Sequence, residues 1–112
     1  MQGDPAALNM YGALLEREGL FRRAAAALRA ALGCLAHPER DAELRDKIRL
    51  NLGRVCLSLS LHNEAAAAFS AVDPATFESL CGLAAASNLA GGVLRNEPPL
   101  IHYRVNLPYS QL

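Results

Sequence analysis

The sequence predicts an all-α fold made of helical hairpins, and three observations carry that prediction. Of 112 residues, 21 are Ala and 20 are Leu, against 7 Val, Ile and Thr together. Ala and Leu cost least in a helix, whereas strands favour the β-branched residues. Apolar residues recur at three- and four-residue intervals over most of the chain, the period of one helix face. Finally, Asp4-Pro5-Ala6 returns as Asp73-Pro74-Ala75, a separation of two periods of roughly 34 residues. Asp is a good N-cap and Pro suits the first helical position, where its missing N–H costs nothing, so both tripeptides are expected to open helices.

The first helix is expected over about 5–17, with Leu8, Tyr11, Gly12 and Leu15 on one face and Gly19 as its stop. A second, about 20–35, carries a stripe of Ala24, Ala27, Leu28, Ala31, Leu32 and Leu35. So short a connection makes the two an antiparallel hairpin. His37-Pro38 interrupts the chain, and a third helix follows over about 39–61, charged at first and then striped by Leu44, Ile48, Leu52, Val55 and Leu59. His62-Asn63 is read as the turn into a fourth helix, about 64–72, that buries Ala65, Ala68, Phe69 and Val72. A fifth is expected from Pro74 to Gly91-Gly92, with Phe77, Leu80, Cys81 and Ala84 inward and Leu83, Ala86 and Leu89 on its far face.

The chain thus divides into a helical repeat domain, 4–90 (hairpins 5–35 and 39–72, then a single helix 74–90), and a poorly ordered tail, 91–112. In the tail Ile101, Tyr103, Val105 and Leu107 alternate with His102, Arg104 and Asn106, a strand pattern. A lone strand is not stable, so it would need a partner to pair with.

Composition excludes several functions. With 11 Lys+Arg against 11 Asp+Glu the formal charge is zero, which gives no strong field for nucleic acid or anionic membrane. A hydrophobic content of 52 % is too high for a disordered chain. No apolar run approaches the ~18 residues of a membrane span. Cys34, Cys56 and Cys81 form no CxxC pair and read as small thiols in helical surroundings, kept reduced inside the cell. Cys34 and His37 have ligand chemistry but no second pair to complete a metal site. His37, His62 and His102 lie at turns or in the tail, and no Gly-rich loop precedes a helix. No enzyme, cofactor or metal is expected.

Residues Leu8, Tyr11-Gly12, Leu15, Gly19, Phe21, Ala24, Leu28 and Ala31 have the types and gaps of the tetratricopeptide repeat, which this part of the chain resembles. A second unit follows with Gly53 in the place of Gly12. It comprises Leu52-Gly53, Cys56, Ala65, Phe69 and Val72, with Arg49, Ser60 and His62 in slots usually apolar, Gly and aromatic. A third is half present, with Leu80-Cys81 or Cys81-Gly82 as its close-approach pair. The resemblance implies a right-handed α-α superhelix of about two and a half repeats. Leu8, Tyr11, Gly12, Leu15, Gly19, Ala24, Leu28, Ala31, Leu52, Gly53, Ala65 and Phe69 would pack the repeats together. It also implies a groove lined by the first helix of each unit, here Asn9, Ala13, Glu16, Arg17, Lys47, Leu50, Arg54 and Ser58, that binds a peptide or partner subunit. Of the carboxylate clamp of chaperone-binding members, only Asn9 and Asn51 are matched.

The chain further resembles the long scaffolds of the superkiller (Ski) type, which implies a cytoplasmic or nuclear RNA-decay assembly holding a helicase beside the exosome. Two and a half repeats fall short of the three usually needed for stability. The chain is therefore expected to be part of a longer solenoid or to self-associate through its last helix. The alternative function is RNA binding through the basic stretch 17–54.

Overall fold

Asp4 opens α1 (Pro5–Arg17): its carboxylate accepts from the Ala6 N–H at 3.1 Å, and Pro5 fills the first position. Three further helices follow, α2 (Phe21–Gly33), α3 (Ala42–Ser58) and α4 (His62–Ser70), before α5 (Phe77–Arg95). The computed structural model describes residues 3–95, and among these there is no strand. No helix of the described residues is long and apolar enough to cross a membrane.

Each helix packs on the next, and α1 touches α3 as α3 touches α5, while among the described residues α1 and α5 do not meet. The odd-numbered helices therefore share one side of the molecule. The core lies between this row and α2 and α4. It contains Leu15, Ala24, Leu28 and Ala31 from the first hairpin and Ile48, Leu52, Val55, Cys56, Ala65 and Phe69 from the second. Small residues set the spacing. A Cβ at Gly12 would stand 2.7 Å from Leu28 of the facing helix. In the second hairpin, a Cβ at Gly53 would stand 2.5 Å from the Phe69 ring, and so would one at Gly82 of α5. The ring is held between two glycines on two different helices, and Gly82, not Cys81, is the close-approach position of α5.

The two hairpins turn in the same way, at Gly19 and at Ser60. Leu20 N–H donates to the Leu15 carbonyl at 2.9 Å and Gly19 N–H to that of Glu16 at 3.0 Å. Leu61 N–H donates to Cys56 at 2.8 Å and Ser60 N–H to Leu57 at 3.0 Å. This is the Schellman helix end, which needs a left-handed residue just beyond the cap. Gly19 supplies it with φ 80° and Ser60 with φ 62°.

Several expectations are corrected. The turn between α3 and α4 is made at Ser60, so His62 and Asn63 belong to α4. Residues Glu39–Asp41 are not helical: α3 begins at Ala42, and Pro38 to Asp41 form a turn closed by Asp41 N–H on the His37 carbonyl at 2.9 Å. The charged residues Glu39 and Arg40 are exposed and have no apolar face to bury, so packing does not extend the helix over them. Asp73-Pro74-Ala75 does not repeat the capping role of Asp4-Pro5-Ala6. Ahead of α5, Thr76 and Ser79 cap each other's backbone, Ser79 N–H to Thr76 Oγ1 at 3.0 Å and Thr76 N–H to Ser79 Oγ at 2.8 Å. This reciprocal box starts the helix at Phe77.

The inner face of α5 is also corrected. Ser79, Gly82 and Ala86 are buried and Leu83 packs against the core, whereas Phe77 is 83 % and Leu80 55 % exposed and Ala84 is exposed. The contact of Gly82 with Phe69 fixes this rotation. α5 runs through Gly91 and Gly92 to Arg95, although each glycine costs about 1 kcal/mol in a helix. The remainder of the expected tail, 96–112, lies outside the described residues.

Candidate functional site

The shared side of α1, α3 and α5 carries a polar chain built on Arg54, three turns into α3. Its guanidinium grips Glu16 of α1 through Nε at 3.2 Å and Nη2 at 2.9 Å. Its Nη1 donates to Glu78 of α5 at 3.1 Å and its Nη2 to Asn51 Oδ1 at 2.6 Å. Asn51 donates in turn to Asn9 Oδ1 at 2.8 Å. One cation thus ties three helices together. Burial would lower the Arg54 pKa, but the hydrogen bonds and charges of Glu16 and Glu78 outweigh it and hold the value above the ordinary one, so Arg54 stays charged throughout the accessible pH range.

Beside this network lies an apolar cavity of about 220 Å³ lined by Leu57 of α3, Phe69 of α4, and Phe77, Cys81 and Gly82 of α5, with Arg54 and Glu78 on its rim. Polar donors and acceptors next to an apolar recess are the ordinary ingredients of a recognition site.

Of the expected groove residues, the structure brings Asn9, Glu16 and Arg54 together. Ala13 is half-buried on α1. Leu50 is half-buried against the core. Ser58 donates to the Arg54 carbonyl at 3.3 Å, Lys47 lies 3.9 Å from Glu43, and Arg17 is exposed. Leu50 packs there because α3 touches all four of the other helices. Of the expected packing residues, Gly12, Leu15, Ala24, Leu28, Ala31, Leu52, Gly53, Ala65 and Phe69 are buried and Leu8 packs against the core. Tyr11 and Gly19 are exposed. Tyr11 is 48 % exposed because its neighbour Gly12 is the residue turned toward Leu28, and Gly19 has no atom within 4 Å of where a Cβ would be. Gly19 serves the backbone instead.

Sequence reasoning alone does not place Glu78, Leu57, Phe77 and Cys81 at the site. Leu57 stands to Gly53 as Glu16 stands to Gly12, so the repeat itself pointed to it. Glu78 had no such counterpart.

No group of three His, Cys, Asp or Glu positioned to hold a metal exists among the described residues. Cys56 is fully buried; burial and the neighbouring Glu64 carboxylate push its thiol up to about 11, against the opposing pull of Arg29. Such a thiol is a poor nucleophile. Arg29 itself is fixed by both oxygens of Glu64, each at 2.8 Å, a bridge from α2 to α4.

No family model matches the chain, and neither a curated protein nor a solved structure matches it significantly.

Proposed function

We propose that the chain is a non-catalytic protein-interaction module of the tetratricopeptide type, a short right-handed α-α superhelix that holds an extended segment of a partner along α1, α3 and α5. The observation that carries this reading is the juxtaposition on one face of the Asn9–Asn51–Arg54–Glu16 network and the cavity between Leu57 and Phe77. The network presents hydrogen-bonding edges to a peptide backbone and the cavity takes an apolar side chain. The duplicated turn, with Ser60 and Leu61 in the places of Gly19 and Leu20, supports the repeat architecture. By resemblance to superkiller-type scaffolds, the first partners to try are the helicase and exosome subunits of cytoplasmic RNA decay.

RNA binding is less favoured by the charges. Of the nine Lys and Arg in 16–54, Arg29, Arg45, Lys47, Arg49 and Arg54 stand in ion pairs with Glu64, Asp46, Glu43, Asp46 and Glu16, which leaves little cation surface for phosphates.

The test is co-precipitation of helicase and exosome subunits with the parent chain, with Leu57→Glu, and with an Arg22→Glu, Arg23→Glu control. Loss with Leu57→Glu alone, at unchanged melting temperature, is expected. Equal recovery by all three would place the contacts elsewhere. A steep fall of binding with added salt together with loss in the arginine variant would favour RNA.

A further inference from the structure

The cavity between α3 and α5 joins two kinds of chemistry: an apolar wall and a charged rim. Its volume and wall decide what enters. The space of about 220 Å³ exceeds the ~150 Å³ that admits benzene between Leu, Ile and Phe side chains, so one aromatic ring fits. The wall offers the rings of Phe69 and Phe77, the Cys81 sulfur and, at the rim, the Arg54 guanidinium. Each of these favours a second aromatic ring over an alkyl chain. Phe77 is 83 % exposed, so an entering ring also covers an aromatic side chain that the described residues leave open.

The rim decides what stands beside that ring. Arg54 is one cation and it meets two carboxylates, Glu16 and Glu78. Glu16 holds it with two hydrogen bonds, at 3.2 and 2.9 Å, whereas Glu78 receives one at 3.1 Å. The cluster therefore carries a surplus negative charge. The Glu78 side chain is 54 % exposed against 22 % for Glu16, and of the two only Glu78 lines the cavity. The surplus is thus presented to solvent at the cavity mouth, where it attracts a cation.

We propose that the cavity selects an aromatic side chain with a positive charge next to it. A partner segment would place Phe or Tyr against Leu57, Phe69 and Phe77, and a neighbouring Lys or Arg on Glu78. The inference rests on the partner-binding reading above and adds to it the residue chemistry that this cavity accepts.

Small probes test the preference without any partner. Phenethylamine carries a ring and an ammonium group. Cyclohexylethylamine keeps the charge without the aromatic ring, and hydrocinnamate keeps the ring with the charge reversed. Each is titrated into the isotope-labelled full chain while the amide resonances of Leu57, Cys81 and Gly82 are followed by NMR. Phenethylamine is expected to saturate their shifts at a concentration about threefold or more below either of the others. In Glu78→Gln, an exposed substitution expected to leave the melting temperature unchanged, its lead over hydrocinnamate should vanish and its lead over cyclohexylethylamine should persist. Equal affinity of the three probes, a lead that survives Glu78→Gln, or shifts that avoid these three residues would each overturn the proposal. The two readings fail separately. Partner recovery lost with Leu57→Glu but equal probe affinities would sink the aromatic–cation preference alone; the expected probe ranking with partner recovery unchanged by Leu57→Glu would support the preference and sink the partner reading.

Discussion

The two hairpins solve one packing problem with different residues. In the first, Gly12 admits Leu28; in the second, Gly53 at the equivalent position admits Phe69, and the ring then reaches a second glycine, Gly82 of α5. The first hairpin turns on Gly19, the second on Ser60, with the same two backbone hydrogen bonds. The second hairpin thus carries the larger apolar residue and the more strained turn. The difference teaches that Phe69 is a three-helix wedge whereas Leu28 closes one hairpin, and that the turn geometry is demanded by how the helices stack, whatever residue has to adopt it.

Truncating the wedge should have the largest effect. Phe69→Ala is expected to cost about 3–5 kcal/mol and to release α5 as well as α4; Leu28→Ala, about 2–5 kcal/mol, should leave the α3–α5 contact in place. Hydrogen exchange measured helix by helix checks the distinction, and equal loss of protection in α5 would remove it. Next come the glycines. A methyl at Gly53 meets a rigid ring and one at Gly12 a flexible leucine, both within 2.7 Å. Overpacking costs about 1–3 kcal/mol, so Gly53→Ala should fall at the upper end and Gly12→Ala at the lower in denaturant titrations.

Exchanging the turn residues sharpens the comparison further. A left-handed non-glycine residue costs about 1–2 kcal/mol, partly offset by the extra freedom glycine loses on folding, about 0.5–1 kcal/mol. Ser60→Gly should therefore stabilise by about 0.5–1 kcal/mol and Gly19→Ser destabilise by a similar amount; a Ser60→Gly chain that melts lower would contradict the strain argument.

An effect confined to alkaline pH, and absent at neutral pH, concerns position 56, which holds Cys where the first hairpin has Leu15. The buried Cys56 thiol is raised from 9.0 to about 11. Its contribution to stability is complete below the unfolded value and is lost as pH rises toward the folded one, because the unfolded chain ionises first. Melting temperature should fall more steeply between pH 9 and 11 in the parent than in Cys56→Ala, and parallel profiles would show that the thiol is not shielded.

Much of the fold was legible. The periodic stripe of α2 is buried at Ala24, Ala27, Leu28 and Ala31, and that of α4 at Ala65, Ala68 and Phe69. The Asp4-Pro5 start stands as its chemistry requires. The same tripeptide at Asp73 misled because a cap needs the next turn of helix in the right place, and there the Thr76–Ser79 box supplies it instead. Asn9, Glu16 and Arg54 were legible as residues of one face through the repeat spacing. Their direct bonding to one another, and the part of Glu78, were not, since hydrogen bonds across 24 to 42 residues of sequence leave no local pattern.

By itself the amino-acid sequence determined that the chain is helical, where its hairpins begin and end to within a few residues, and which small residues meet large ones within a hairpin, because propensity, capping and periodicity act over a few turns. Only the tertiary structure decided how α5 is rotated, with Gly82 inward and Phe77 outward, and hence that a cavity opens beside Arg54. That rotation depends on the Phe69 ring finding a partner on a third helix, a contact between elements that short-range patterns do not encode.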